Sequence, residues 1–315
     1  MSSPTPDEIA AAWSRIAPHV RRTPLMLADD LWEGGPVALK LEHCQVTGSF
    51  KPRGAFNTLL SGDVPEGGVV AASGGNHGAA VAYAARALGH RAAIFVPELA
   101  GPAKIALIRA TGADLTIVPG VYADAMAAAE AHRAATGAMQ IHAYDAPATV
   151  AGQGTLMAEW EDQGLEADTV LIAVGGGGLI AGALAWLAGR RKVVAVEPDV
   201  APTLHVALRD GPESDVEVSG VAANALGATR IGRLCYDLAK GAGITSVTVP
   251  DAAITAAQHL LWDRLRQVVE PAGATALAAL TSGAYRPEPG ERVAVLLCGA
   301  NPKDSPYPEA NSARA

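Results

Sequence analysis

The stretch TGSFKPRGA, residues 47–55, places a lysine between an aromatic ring and a proline. A β-like run at 37–42 precedes it, and a helix-like pattern follows it. Proline favours the first turn of a helix, and the residue before a proline is pushed away from helical backbone angles. We therefore predict that Lys51 is the N-cap of a helix, with its side chain leaving the helix start.

A helix start is an unusual place for a cation, because the helix dipole puts partial positive charge there. Burial beside Phe50 would disfavour the ammonium further and favour a neutral amine. A neutral lysine is a nucleophile toward carbonyl groups. The alternative is an exposed surface lysine, which is the commoner state of a lone lysine, so the decision depends on the rest of the chain.

Around this stretch, short β-rich runs alternate with Ala-rich segments of helical length. This rhythm predicts an α/β protein with a mostly parallel sheet that is covered by helices on both faces. Residues 198–235 break the rhythm and are predicted to be irregular, and the polar tail 302–315 is predicted to be frayed. The predicted strands are 68–72, 91–96, 113–118, 139–143, 168–174, 192–197, 245–249 and 291–297.

The composition of the chain excludes several classes of function. The chain has 315 residues, of which 50% are hydrophobic and 18% charged, which is typical of a folded globular protein. The net charge of −8 argues against nucleic acid and anionic membranes as partners. The sequence shows no membrane span and no signal peptide, and its three distant cysteines form no zinc or disulfide pattern. A cytoplasmic location is expected.

Ligands of open α/β sheets bind in the loops at the carboxyl ends of strands. One such loop is Ser73-Gly74-Gly75-Asn76-His77, which leads into a helical pattern. Side-chain hydroxyl and amide groups, with free backbone N–H groups at a helix start, favour a carboxylate or another anion. The alternatives are a tight turn with Asn76 as an ordinary N-cap and His77 as a packed histidine.

Another loop has four consecutive glycines, Gly175 to Gly178, between the predicted strand 168–174 and a helix. Glycines at this position favour a phosphate, because the backbone N–H groups can approach it closely. A dinucleotide-binding pattern also fits through Gly176, Gly178 and Ala181, with Glu197 as a ribose-binding acid. This would make the protein an NAD-dependent oxidoreductase, but it leaves Lys51 and the loop around Asn76 without a role.

The last loop begins with Cys298 at the end of the strand predicted at 291–297. A thiol there can contact a ring nitrogen of a bound ligand. The commoner case is a buried cysteine that acts as a small apolar residue.

Together these loops resemble the fold type II pyridoxal-phosphate enzymes, the tryptophan synthase β family, and within it the threonine/serine dehydratase and serine racemase branch. The resemblance covers residues 8–301. It rests on SFKxRGA at 49–55, SxGNH at 73–77, the four glycines and EPAGA at 270–274.

The resemblance implies that Lys51 holds pyridoxal 5'-phosphate as a Schiff base. Asn76 is implied to bond the ring hydroxyl, and Cys298 to face the pyridine nitrogen. The loop residues Ser73, Gly74, Gly75, Asn76 and His77 are implied to receive the substrate carboxylate. The residues implied to contact the cofactor are Phe50, Lys51, Asn76, Gly175, Gly176, Gly177, Gly178, Leu179, Glu270 and Cys298.

The same resemblance implies an α/β fold of two three-layer domains with mostly parallel sheets. These are a large cofactor-binding domain from 1–51 and 144–315 and a small mobile domain from 52–143. A homodimer and a small amino-acid substrate are expected. The implied reaction is α,β-elimination, in which L-threonine or L-serine gives a 2-oxo acid and ammonia. Two other activities of the family remain as alternatives, serine racemase and hydroxyaspartate dehydratase.

Two positions depart from the family pattern. Racemases of this type carry a serine where this chain has Gly74, and that serine is the acid–base group on the second face of the substrate. Dehydratase is therefore preferred. Related enzymes bind a divalent cation through a Glu, a main-chain carbonyl and an Asp. Glu197 and Ala201 match the first two, but Thr203 replaces the Asp, which leaves an incomplete Mg²⁺ site.

Overall fold

The computed structural model describes residues 2–98 and 100–301, and the tail predicted to be frayed lies outside them. In this part of the chain, no helix combines the length and the apolar character that a membrane span needs. The helices are α1 (Pro6–Ile16), α2 (Lys51–Ser61), α3 (Asn76–Ala87), α4 (Pro102–Arg109), α5 (Tyr122–Thr136), α6 (Pro147–Asp162), α7 (Gly178–Leu187), α8 (Thr203–Asp210), α9 (Ala223–Leu226), α10 (Arg233–Ala242), α11 (Asp251–Leu265) and α12 (Pro271–Thr281).

The strands form two sheets. The strands are β1 (Leu25–Ala28), β2 (Val37–Lys40), β3 (Val69–Ala72), β4 (Ala92–Pro97), β5 (Asp114–Val118), β6 (Met139–Gln140), β7 (Thr169–Ala173), β8 (Lys192–Pro198), β9 (Thr245–Val249) and β10 (Val293–Leu296). One sheet has six strands in the order β1-β2-β10-β7-β8-β9, and the other has four in the order β5-β4-β3-β6. Every pair is parallel except β1 with β2, which is antiparallel.

The central strands are apolar along most of their length. Every residue of β3, β7 and β10 is buried, which is typical of a parallel sheet with helices on both faces. The predicted α/β class with mostly parallel sheets is therefore confirmed. The four-stranded sheet uses residues 69–140 and the six-stranded sheet uses 25–40 and 169–296, whereas the domain limits and the mobility of the small domain stay predictions.

Three sequence expectations need correction. Strand β1 has no counterpart among the predicted strands, because it has only four residues and lies at a sheet edge, where two of its residues are exposed. The strand expected at 139–143 ends at Gln140. The region 198–235 contains α8 and α9. The glycines and prolines of this region predict irregular structure, but α8 begins directly after Pro202.

Candidate active site

Lys51 is the first residue of α2, and Phe50 is the N-cap. The prediction that Lys51 is itself the N-cap is therefore wrong by one position. Pro52 takes the second helical position, where its missing N–H is no loss. The Lys51 ammonium donates a hydrogen bond of 2.9 Å to the carbonyl oxygen of Ala143, and its nitrogen lies 5.0 Å from the centre of the Phe50 ring.

The surroundings of Lys51 favour the neutral amine. Burial lowers the pKa of Lys51 from its ordinary 10.5 to about 8, although Cys298 and Glu270 oppose this shift. A large fraction of the side chain is therefore unprotonated at mildly alkaline pH. This is the nucleophilic form that the sequence predicts.

The start of α2 is held by four fully buried charged side chains, Lys40, Glu42, Arg53 and Glu159. The Arg53 guanidinium donates to both oxygens of Glu42, at 2.6 and 3.0 Å, and to Glu159 at 2.8 Å. The Lys40 ammonium completes the cluster with a bond of 2.5 Å to Glu159. The two positive and two negative charges balance, as buried ion pairs require. Since Arg53 is two residues after Lys51, this cluster fixes the backbone from which Lys51 projects.

Asn76 begins α3 and is held by two distant residues. Its amide nitrogen donates to Glu270 at 2.5 Å, and its amide oxygen accepts from Asn301 at 2.9 Å. Asn301 also donates to the carbonyl of Thr47 at 2.6 Å, just before the Lys51 helix. These bonds bring the loops after β3 and β10 to the start of α2.

The loop from Ser73 to Gly78 offers backbone donors. The Ser73 hydroxyl accepts from the N–H of Gly75 at 3.2 Å. Among the described residues, none accepts a hydrogen bond from the backbone N–H groups of Asn76, His77 and Gly78. His77 Nε2 contacts the carbonyl of Ile141 at 2.9 Å, and burial lowers the pKa of His77 to about 3, so its ring is neutral. Three free donors at a helix start suit a carboxylate.

The four glycines form a second group of free donors. In the described part of the chain, the backbone N–H groups of Gly175, Gly176, Gly177, Gly178 and Leu179 find no acceptor. They lie where α7 begins, with Gly177 as its N-cap at a φ of 92°. Five unpaired N–H groups at a helix start make a cradle for a phosphate.

Packing explains why these positions are glycine. A Cβ on Gly176 would lie 2.4 Å from the Tyr144 ring, and one on Gly177 would lie 2.5 Å from Cys235. A Cβ on Gly178 would lie 2.8 Å from the Cα of Tyr144. The residues present therefore fit a phosphate-bearing cofactor with a carbonyl that Lys51 can attack.

Cys298 is buried at the end of β10, and its thiol donates to the carbonyl of Ala272 at 3.4 Å. Burial raises the pKa of Cys298 to about 12, so the thiol stays uncharged at neutral pH. The carbonyl of Cys298 accepts from the N–H of Phe50 at 3.1 Å. A neutral group thus stands beside the Lys51 loop.

Glu197 and Ala201 have structural partners. The Glu197 carboxylate is fully buried and accepts from the N–H groups of Leu204 and His205, each at 2.7 Å, and from the Thr203 hydroxyl at 3.0 Å. The carbonyl of Ala201 accepts from the N–H of Thr203. These residues therefore start α8 and do not fit the predicted Mg²⁺ site. Residues 2–98 and 100–301 also contain no cluster of three or more His, Cys, Asp or Glu side chains that could hold a metal.

Three residues near Lys51 and the glycines carry little signal in the sequence. Asn301 lies in a loop that has no motif around it. His142 and Tyr144 lie in the loop after β6, which has no motif either. Tyr144 packs on Gly176 and Gly178, and the residue after His142 accepts the Lys51 bond. The one sequence feature that points to this loop is the pair of aromatic rings, His142 and Tyr144, close to the end of a strand.

Comparison with known proteins identifies the family of this chain. The family described as "Pyridoxal-phosphate dependent enzyme" matches residues 16–299. A phenylserine dehydratase of Ralstonia pickettii is 37% identical over 93% of this chain and 92% of its own length. Two solved structures superpose closely. A threonine deaminase of T.th. has a TM-score of 0.88 and 36% identity over 96% of this chain and 100% of its own. A maize serine racemase has a TM-score of 0.87 and 30% identity over 95% of this chain and 94% of its own.

A fold of two mostly parallel sheets with a buried lysine beside an anion cradle is typical of an enzyme with a phosphorylated cofactor. The chain belongs to the family of pyridoxal-phosphate dependent enzymes. The dehydratase and deaminase relatives match over nearly their full lengths, which supports a lyase. This family excludes the oxidoreductase alternative, and the Glu197 carboxylate is fully buried, so a ribose cannot reach it.

The lowered pKa of Lys51 leads to a test on the cofactor-free protein. Pyridoxal phosphate is expected to bond covalently to Lys51 at a rate that rises with pH and levels off about one unit above 8, because only the neutral amine attacks. An ordinary lysine would keep gaining rate up to about pH 10. Stopped-flow absorbance between about pH 6.5 and 10 measures the profile across both pKa values. A rate that still rises tenfold per unit above about pH 9 would contradict the assigned pKa.

Proposed function

We propose that this protein is a dehydratase that converts L-threonine or L-serine to a 2-oxo acid and ammonia by α,β-elimination. The names of its relatives support this, since they include a phenylserine dehydratase and a threonine deaminase. Phenylserine also has a β-hydroxyl group, so bulkier hydroxy amino acids belong to the same candidate range. We further propose a homodimer in the cytoplasm, on family likeness and on the sequence.

The roles of the residues follow from their positions. Pyridoxal phosphate, when bound, supplies an electron sink for the substrate amino acid. The N–H groups of residues 175–179 would hold its phosphate, and Lys51 would hold its carbonyl carbon. Asn76, fixed by Glu270 and Asn301, would bond its ring hydroxyl, and the neutral Cys298 thiol would face its ring nitrogen.

The substrate would bind through its carboxylate to the loop from Ser73 to His77, at a helix start where three backbone N–H groups have no described partner. The Lys51 amine, free once the substrate has replaced it, removes the proton from Cα. The Cβ–O bond breaks, and the hydroxyl leaves as water with a proton that balances the one Lys51 has taken from Cα. The unsaturated amine that is released hydrolyses to the 2-oxo acid and ammonia.

The observation that carries elimination over racemisation is Gly74. Racemisation needs a proton donor on the face of the substrate opposite Lys51, and glycine supplies no such group. The structure also leaves no space for one. A Cβ at this position would lie 2.5 Å from the Cβ of Ala100 and 2.8 Å from Cγ1 of Val96. The racemase alternative, supported by the maize structure, therefore fits less well than the dehydratase.

A serine at position 74 is expected to raise D-serine formation relative to elimination, provided that space is made for it. The double variant Gly74→Ser/Ala100→Gly removes the closest contact and adds a hydroxyl on the second face. General acid–base groups contribute roughly 10²–10⁴-fold, so even a poorly placed hydroxyl gives a measurable change. The assay incubates L-serine with the enzyme and measures D-serine by chiral chromatography and pyruvate in parallel.

The matched control is Gly74→Ala/Ala100→Gly, which adds the Cβ without the hydroxyl. It is expected to form no more D-serine than the wild type. The single variant Gly74→Ser is expected to lose elimination activity, because its side chain displaces Ala100. Rapid D-serine formation by the wild type would refute the assignment, since another group would then serve the second face.

A further inference from the structure

His142 lies in the loop after β6, with a side chain that is accessible to solvent. The carbonyl of the next residue, Ala143, accepts the hydrogen bond from Lys51. His142 is thus the chain neighbour of the residue that contacts the reactive amine, and nothing in the proposed mechanism uses it.

The hydrogen bonds of His142 determine which ring nitrogen carries the proton. Nδ1 accepts from the backbone N–H of Tyr144 at 3.2 Å and from that of Asp145 at 2.9 Å. A nitrogen that accepts must present its lone pair, so the proton of the neutral ring is on Nε2. The ring is also held against Tyr144, edge to face, with centroids 4.9 Å apart at 83°. The side chain is therefore a fixed donor.

In the described part of the chain the Nε2–H group of His142 donates to no residue, and its ring packs on Tyr144, which in turn packs on Gly176 and Gly178. Partial enclosure of the ring lowers the pKa of His142; the charge of Asp145 opposes this shift and the charge of Lys51 adds to it. The chain neighbour of His142, Ala143, binds Lys51, and its ring neighbour, Tyr144, packs on the glycines of the phosphate cradle. His142 thus offers a donor beside both groups, without an acceptor among the described residues.

We propose that Nε2–H of His142 binds the β-hydroxyl oxygen of the substrate and so positions the leaving group; this rests on the proposed dehydratase function. His142 is a positioning residue and not the acid that protonates the hydroxyl. Protonating Nδ1 would break both bonds to the loop backbone, and loss of the proton from neutral Nε2 is unfavourable. Its contribution is therefore selective binding of substrates with an oxygen on Cβ.

The variant His142→Asn separates this role from a structural one. The Oδ1 atom of asparagine can accept backbone N–H bonds from the second and third following residues, as Nδ1 of histidine does here. It cannot reach the position of Nε2. His142→Gln is the complementary variant, because its longer side chain can carry an amide donor to that position. Both are expected to bind pyridoxal phosphate as the wild type does.

The first readout needs no turnover. The loaded protein is titrated calorimetrically with α-methyl-L-serine, which has the hydroxyl but no Cα hydrogen, and with 2-aminoisobutyrate, which lacks the hydroxyl. The wild type is expected to prefer α-methyl-L-serine by roughly three- to tenfold, the range of one net hydrogen bond. His142→Asn is expected to lose that preference and His142→Gln to keep part of it. An equal preference in wild type and His142→Asn would overturn the proposal.

The second readout compares leaving groups. For His142→Asn, kcat/KM is expected to fall about tenfold with L-serine, the upper range of one net hydrogen bond, and far less with β-chloro-L-alanine, whose chloride needs no such donor. Equal losses on both substrates would overturn the proposal and assign His142 a purely structural role. A wild type that eliminates from neither substrate would instead refute the dehydratase function itself, so the two failures are distinguishable.

Discussion

Replacing Lys51 with alanine is expected to abolish turnover and the visible absorbance of the lysine-bound cofactor, while the protein stays folded. The amine is proposed both to hold the cofactor and to remove the Cα proton, and loss of the base alone lowers the rate by roughly 10²–10⁴-fold. The fold should survive, because within the described residues the side chain makes a single hydrogen bond, to Ala143. Steady-state assays with L-threonine, absorbance spectra and thermal unfolding measure the three effects.

The matched control for this variant is Lys240→Ala. Lys240 lies in α10 and bonds the Tyr236 hydroxyl at 2.8 Å, so its removal also takes away one lysine and one hydrogen bond. It should keep wild-type activity and spectrum. Turnover and a normal visible band in Lys51→Ala would remove Lys51 from its proposed role.

Replacing Gly177 with alanine is expected to weaken cofactor binding by roughly 5- to 150-fold. Its φ of 92° lies in the left-handed region, and the new Cβ would lie 2.5 Å from Cys235 and 2.8 Å from Ile231. Overpacking of this kind costs about 1–3 kcal/mol. The loop can relieve the clash by turning its N–H groups away from the phosphate, and the full cost then appears as the stated loss of affinity. Titration of the cofactor-free protein with pyridoxal phosphate measures the loss.

Gly241→Ala is the control for the glycine variant. Gly241 lies within α10, and a Cβ there meets no atom within 4 Å. This change should leave cofactor affinity unaltered and stabilise the helix by about 0.5–1 kcal/mol. An unchanged pyridoxal phosphate titration for Gly177→Ala would mean that the phosphate binds elsewhere.

The sequence predicts the parts of the fold that depend on local composition. Strands β3, β7 and β10 are buried on both faces, so they read as continuous apolar runs between loops rich in glycine. Strand β1 is also apolar, but a run of only four residues at a sheet edge does not distinguish a strand from an apolar loop. Helix α8 escapes prediction for another reason, since its start is held by the side chain of Glu197, which precedes it in β8.

The same distinction applies to the site. Lys51 and the four glycines are predictable, because proline and glycine restrict or free the backbone next to them. The cluster of Arg53, Glu42 and Glu159 is not, because Glu159 is 106 residues from Arg53 in sequence. Asn301 and Asn76 are likewise 225 residues apart. Pairings at such separations arise only when the sheets are assembled.

The central claim is elimination from a β-hydroxy amino acid, and product analysis of the loaded wild-type protein tests it most directly. Purified protein with pyridoxal phosphate is incubated with L-threonine, L-serine and L-phenylserine, and the 2-oxo acid, ammonia and D-amino acid are each quantified. The predicted result is 2-oxo acid and ammonia in equal amounts from at least one substrate, with little or no D-amino acid. A D-amino acid as the main product, or no 2-oxo acid from any of the three, would contradict the account.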